Sequence, residues 1–422
     1  MKTTRTGKRK GPAAAALAII LIVAGWAAWK TWGPKERPIK VGILHSLTGT
    51  MAISETSVRD AALLAIEELN AQGGVLGRRI EPVVADGRSD WPTFAREAER
   101  LITKERVAVV FGCWTSASRK TVKPVFEKYN HLLFYPVQYE GLEQSPNIIY
   151  TGAAPNQQII PAVKWSFDHL GKRFFLVGSD YVFPRTANAI IKAQVQALGG
   201  EIVGEEYLRL GTLSPEKIVG KIVQTQPAVI LNTINGDSNV AFFEALRRAG
   251  ITPERIPTVS FSIAEDELRH LNARTMAGDY AAWNYFQSVD SPENHSFVEA
   301  FRARFGQDRV TDDPMEAAYF GVRLWARAVT AAGTTDVSEV RKALHNQSLA
   351  APGGIVTIDA ATQHTWKVVR IGKIRADGQF EIAWSSNDPI RPIPYPAFRS
   401  RAEWDAFLEE MQNGWGGAWA SP

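Results

Sequence analysis

From residue 39 onward, short apolar runs alternate with longer stretches whose apolar positions recur every three to four residues. "IKVGILH" (39–45) is the first such run and predicts a strand. Val58, Ala61, Ala62, Ala65, Ile66 and Leu69 then repeat at the helical period, and the glycines of "NAQGGVLGR" end that helix. Strands are predicted at 80–86, 107–112 and 132–136, with helices at 92–105 and 117–130 between and after them. "PNIIYTGAAPNQQIIPAV" (146–163) breaks the rhythm and reads as a crossing into a second region.

A second series follows, with strands at 174–178, 201–208, 228–233 and 257–261 and helices at 185–198, 214–225 and 239–249. "AGDYAAWNYF" (277–286) reads as a second crossing, followed by helices at 293–305 and 314–332. "GGIVTID", "HTWKVVRIGKI" and "GQFEIAW" are strands of antiparallel character, and a Pro-rich tail, "DPIRPIPYPAF", closes the chain. Strands alternating with helices imply βαβ units and parallel sheets. The expectation is an α/β protein of two Rossmann-like lobes, 39–152 with 286–350 and 153–285 with 351–395, followed by a tail, 396–422. In parallel sheets ligands bind beyond the carboxyl ends of the strands. The loops to inspect are therefore 46–54, 112–118, 136–140, 179–184, 234–239, 262–266 and 283–287.

Charge changes the picture only at the N-terminus. Residues 1–37 carry a net charge of +7, whereas the whole chain carries +4, so the remainder is acidic by −3. A nucleic-acid-binding domain is not indicated. The basic start precedes an apolar run, Ala13 to Trp29, and Trp26, Trp29 and Trp32 suit an aromatic belt. Residues 1–38 read as a signal peptide or signal anchor, with 13–32 as an inner-membrane anchor and the rest periplasmic or otherwise extracytoplasmic.

The single cysteine, Cys113, excludes an intramolecular disulfide and a Cys-based metal cage. It follows a strand ending in Gly112, where a small thiol packs well, and none of the seven histidines stands in a partner motif. No metal site and no cofactor are expected: HExxH, GxSxG and a post-strand GxGxxG are missing. "GCWTSASRK" lacks the second glycine of a phosphate loop; Ser116 or Ser118 reads either as a helix cap or as a ligand contact. Arg119 and Lys120 are expected on the exposed side of the following helix.

The post-strand loops share aromatic and neutral polar residues: Trp114 with Ser116; Tyr135, Gln138 and Tyr139; Tyr181 and Phe183; Asn235, Asp237 and Ser238; Trp283 and Tyr285. One aromatic in such a loop serves a core as readily as a site, and Asp237 suits a helix N-cap equally well. Agreement across five loops points to a small-ligand pocket.

"GCWTSASRKTVKPVFEKYNHLLFYPVQYEGLEQSPNIIYTGAAPNQQ" with "GSDYVFPRTAN" resembles the urea-binding proteins of bacterial urea ABC importers, which are similar to short-chain amide receptors. The resemblance runs from about Lys40 to about Pro394 and is most specific across 111–185. It implies a type I periplasmic-binding-protein fold, three crossings, closure on a ligand and an ABC permease as partner. The amide receptors have a Tyr-x-Ser loop, a Tyr-Pro-Thr-Pro-Tyr loop and a Ser-Asp-Tyr-x-Tyr-Pro loop. Ser116, Tyr135 and Tyr181 match these directly. Trp114, Gln138 and Phe183 stand where the pattern has Tyr, Pro and Tyr. Val137 replaces a threonine and can contribute only backbone. Urea carries a second NH₂ where an amide has its apolar tail, so extra acceptors are expected, and Asp237, Gln138 and Glu265 are the candidates. The implied function is urea or short-chain amide binding for import. The alternatives are a sensor of amides or branched-chain amino acids, and an exported amide hydrolase using Cys113 or Ser116.

Overall fold

The structure is a computed structural model that describes residues 37–421. The expected leader helix at 13–32 lies outside the described residues. Among those described, no helix is long and apolar enough to cross a membrane.

The first sheet contains β1 (Ile39–His45), β2 (Ile80–Asp86), β3 (Val110–Gly112), β4 (Leu133–Tyr135) and β5 (Ile148–Tyr150). All pairings are parallel, in the order β2-β1-β3-β4-β5. The helices Ala52–Ala71, Trp91–Arg100 and Ser116–Lys128 connect them, and Asp312–capped Asp313–Ala332 packs on the same core, where Trp325 meets Phe111 edge-on at 6.0 Å. The helix expected at 92–105 ends as a π-helical turn, Leu101–Glu105.

The second sheet contains β6 (Arg173–Ser179), β7 (Glu201–Leu208), β8 (Val229–Thr233), β9 (Thr258–Ser260) and β10 (Tyr280–Trp283) in parallel. Three short strands, β11 (Ser348–Ala351), β12 (Gly354–Ile358) and β13 (Thr365–Trp366), make a small antiparallel sheet. Then β14 (Arg370–Ile374) and β15 (Phe380–Ser385) join the second sheet antiparallel, giving β15-β14-β10-β9-β8-β6-β7. Successive side chains of a strand face opposite ways. On β6, Phe175 and Val177 enter one core while Phe174 and Leu176 enter another, so both faces are covered, as parallel sheets require.

The chain crosses between the sheets after β5, after β10 and before β14. Two boundaries differ from the sequence reading. "AGDYAAWNYF" is no simple crossing: its residues 280–283 form an interior strand, β10. The third crossing comes after 366 instead of near 351, because Val356 and Ile358 belong to the first core and Thr365 bonds the Tyr150 carbonyl at 3.0 Å. The tail expected at 396–422 contains a helix, Arg401–Gly414, whose Trp404 is fully buried in the second lobe.

Candidate functional site

The strand ends of the two sheets face each other across the interlobe junction, and loops from both sides touch. Trp114 of the β3 loop donates its indole N–H to Asn235 Oδ1 of the β8 loop at 3.4 Å. Gln138 of the β4 loop donates its amide to the Phe261 carbonyl after β9 at 2.8 Å. Thr50 of the β1 loop donates its hydroxyl to Asp237 Oδ1. Gly236 has φ +70, and a Cβ there would lie 2.9 Å from Thr50 Oγ1 and 3.0 Å from its carbonyl oxygen. Only glycine permits both this backbone shape and this approach.

Trp114, Ser116, Tyr135, Val137, Gln138, Tyr181 and Phe183 are all buried at this junction. Tyr135 donates its hydroxyl to the Trp114 carbonyl at 2.5 Å, which fixes the β3 and β4 loops to one another. Tyr181 opens the helix Val182–Ala197 and lies 6.4 Å from the Phe183 ring. Burial raises the Tyr181 pKa well above the ordinary value, reinforced by Tyr135 and Glu140 of the facing lobe. Val137 is pressed against Gly152, where a Cβ would come within 2.1 Å of the Val137 carbonyl oxygen. Asp237 is half-buried at the edge, and its side chain meets Thr50 instead of capping the helix Ser238–Arg248. Glu265 is buried beside the second crossing; its Oε1 accepts the Gln287 N–H at 2.7 Å. Burial pushes its pKa up to about 8, with Glu267 and Asp313 adding to the rise against the Gln287 bond.

The reading of Arg119 and Lys120 as exposed is corrected. Arg119 is fully buried and Lys120 nearly so. Arg119 donates to Glu143 Oε1 at 2.9 Å, Glu140 Oε1 at 3.0 Å and Ser116 Oγ at 3.0 Å, and Lys120 donates to Glu143 Oε2 at 3.0 Å. The physical reason is that the 140–143 loop folds over the start of the helix and supplies two carboxylates there. The Arg119 guanidinium also lies 4.8 Å and 4.4 Å from the Tyr135 and Tyr139 ring centres. Burial alone would raise the Glu143 pKa, but Arg119 and Lys120 hold it well below the usual carboxylate range. Ser116 donates to Glu140, so its hydroxyl faces this network. The helix cap belongs to Thr115, whose Oγ1 accepts the Ser118 N–H at 3.0 Å, and not to Ser116 or Ser118.

Cys113 packs behind the strand end, its N–H bonded to the Leu44 carbonyl at 2.8 Å. Burial, then the nearby Glu55, push its thiol pKa up, which opposes thiolate formation. Among the described residues no group of His, Cys, Asp and Glu is arranged to hold a metal ion.

Several buried oxygens at the junction have no hydrogen-bond partner within the protein: Gln138 Oε1, Gln158 Oε1, Glu55 Oε1 and Glu265 Oε2. Gln138 and Gln158 both donate to the Phe261 carbonyl, which fixes the opposite end of each amide as the oxygen. Sequence reasoning offered Asn235 among the post-strand loop residues but passed over Gln158 and Glu55 as site residues. Asn235 lay in a loop already singled out, whereas Glu55 sits inside a helix and carried no motif.

A family model described as a periplasmic binding protein domain matches residues 39–401. The chain is 24% identical over 335 residues to the Leu/Ile/Val-binding protein homolog 6 of Brucella melitensis biotype 1, covering 77% of this chain and 85% of that protein. It is 37% identical over 124 residues to a limonene hydroxylase of Geobacillus stearothermophilus, a stretch amounting to 29% of this chain and only 23% of that protein. Its fold is similar to that of a solute-binding protein of an ABC transporter from R. palustris in complex with 4-hydroxybenzoate. The TM-score is 0.75 at 23% identity, covering 84% of this chain and 98% of that one.

Proposed function

Since the chain belongs to the periplasmic binding protein family, we propose that it is an extracytoplasmic receptor that closes on urea or a short-chain amide and presents it to an ABC permease. In this reading the basic, apolar leader exports the protein or holds it at the inner membrane. Trp114 and Phe183 wall a planar ligand, Tyr135 and Tyr181 flank it, and Ser116 with the Val137 backbone holds one end.

The observation that carries the ligand class is the surplus of buried acceptors. Gln138, Gln158 and Glu55 each keep an oxygen without a partner. A buried acceptor left unmatched costs about 1–3 kcal/mol, so such oxygens favour a ligand rich in N–H. Urea offers N–H on both sides of one carbonyl. The nearby buried cations, Arg119 and Lys120, are already engaged by Glu140 and Glu143. A ligand carboxylate would therefore meet acceptors and acidic groups with no cation to balance it. That disfavours an amino acid or a benzoate. Asp237, held by Thr50 at the edge of the junction, acts in this reading as a second-side acceptor that engages as the lobes close.

Calorimetric titration with urea, acetamide, isoleucine and 4-hydroxybenzoate tests this. Urea is expected to bind more tightly than acetamide, with no heat from either carboxylate. Preference for a carboxylate overturns the reading. Acetamide binding as tightly as urea removes the acceptor roles of Asp237 and Gln138. Ammonia release from urea that is lost on Cys113→Ala or Ser116→Ala substitution would instead support the hydrolase alternative.

A further inference from the structure

The family match ends at residue 401, yet residues 401–421 are ordered against both lobes. The approach is set by the preceding segment. The Pro394 carbonyl accepts the Leu142 N–H at 2.8 Å, and Gly141 leaves no room for a Cβ there, since one would lie 2.1 Å from the same oxygen. Asn156 holds Arg391 and Ile393 through its amide, at 2.8 Å and 2.7 Å. The helix Arg401–Gly414 is then anchored by Trp404, whose indole N–H donates to the Pro396 carbonyl at 2.9 Å. A turn at Gly416 and Gly417 reverses the chain, and Gly417 N–H bonds the Gln412 carbonyl at 2.9 Å.

The last residues then run along the Tyr181 loop. The Trp419 carbonyl accepts the Val182 N–H at 3.0 Å, Ala420 bridges Tyr181, and the Ser421 N–H donates to the Asp180 carbonyl at 3.1 Å. The helix Val182–Ala197 has no side-chain cap at Tyr181. The first N–H groups of a helix have no intrahelical partner, so the tail carbonyl supplies what the cap does not. The Trp419 ring, meanwhile, lies over Lys120 of the first lobe, with the ammonium 4.8 Å from the ring centre. One short segment thus grips the Tyr181 loop of the second lobe and the Ser116–Lys128 helix of the first.

We propose that residues 415–421 are a latch, with Trp419 as the positioning residue that orients the Tyr181 loop and holds the two lobes closed. Its bonds run to the backbone of 180–182 and to Lys120, so it acts through Tyr181 and the closing equilibrium. The inference rests on the reading of Tyr181 as a cleft residue and is indifferent to whether the ligand is urea.

The test uses the exported chain carrying Lys104→Cys and Lys217→Cys, both exposed and one on each lobe, for spin labels; native Cys113 is buried and stays unlabelled. Interlobe distances are measured without ligand in this background, in Trp419→Ala, in Trp419→Phe and in a chain ending at Trp415. The expected result is a shift toward longer distances in Trp419→Ala and the truncated chain. The open-to-closed ratio should change by roughly tenfold, the worth of one partly desolvated cation–π contact. Trp419→Phe should stay near the parent, because the ring face is retained. Unchanged distances in both the alanine and the truncated variants overturn the latch. Circular dichroism on the truncated chain, which keeps the anchoring helix, separates loss of the latch from loss of the fold. Failure of urea to bind the parent would sink the ligand assignment and leave the distance comparison intact.

Discussion

Arg119 shows how much one side chain contributes to the floor of the junction. Burial works against its charge, yet Glu143 and Glu140 outweigh that and raise its pKa well above the ordinary value. Removing the guanidinium leaves two carboxylates buried without it. Arg119→Met is therefore expected to destabilise the protein by about 3–5 kcal/mol, the range for breaking a buried ion pair from one side. Guanidinium unfolding is the measurement, since urea is the proposed ligand and would confuse its own denaturation curve. A loss below about 1 kcal/mol, the value of an exposed pair, would mean that the network is solvated in solution. Nothing local in the sequence revealed this burial. The partners stand in another loop, and two adjacent cations after a helix start ordinarily face water. The aromatic residues were legible for the opposite reason: each follows a strand, where the parallel topology directs loops into a cleft.

At the scale of elements, strands and long helices were legible because period and burial agree. The apolar runs at 39–45 and 229–233 became interior strands, and the amphipathic run ending at Ala332 became a core helix. The helix Arg401–Gly414 escaped notice although Trp404, Phe407, Leu408 and Met411 recur at the helical period, because the proline-rich stretch before it reads as the start of a tail. The turn at Gly236 carries a prediction of its own. It lets the β8 loop come against Thr50 and Met51 of the facing lobe. Gly236→Val puts a side chain where 2.9 Å is available, in a backbone shape that branched residues avoid. Folding stability is expected to fall by only about 1–3 kcal/mol, since the strain is local. Ligand affinity is expected to fall at least tenfold, because the closed state carries the clash. Calorimetry beside a thermal melt separates the two, and full affinity in the valine variant would mean that this contact is not part of closure.

For the whole molecule, the buried acids make stability depend on pH. Burial raises Glu265 to about 8 and Glu267 and Glu316 to about 7. Asp279 is likewise raised by burial to about 7, against the opposing charge of Arg247. Below the ordinary carboxyl pKa the folded and unfolded chains both hold these protons. Between that value and about 8 only the folded chain does, so the stability they contribute is lost as pH rises through the window. His364 acts in the opposite sense. Burial lowers it to about 4, so it removes stability as pH falls from about 6.5 toward 4. Four acids outweigh one histidine, so the melting temperature is expected to decline from about pH 5 to pH 8, and above about 6.5 the histidine no longer offsets the decline. Glu265 and Glu267 flank an interlobe contact, in which Ser57 donates to Asp266 Oδ2 at 2.5 Å. Deprotonation of Glu265 and Glu267 in this window therefore places charge beside a contact between the lobes. Glu265→Gln keeps the shape and removes one titration, so its melting curve should be flatter between pH 6.5 and 8 than that of the parent. Equal slopes would assign the decline to the other acids. A melting temperature that rises across the same range would mean that these carboxyls are already ionised in the folded protein, and that the junction is wetter than its burial implies.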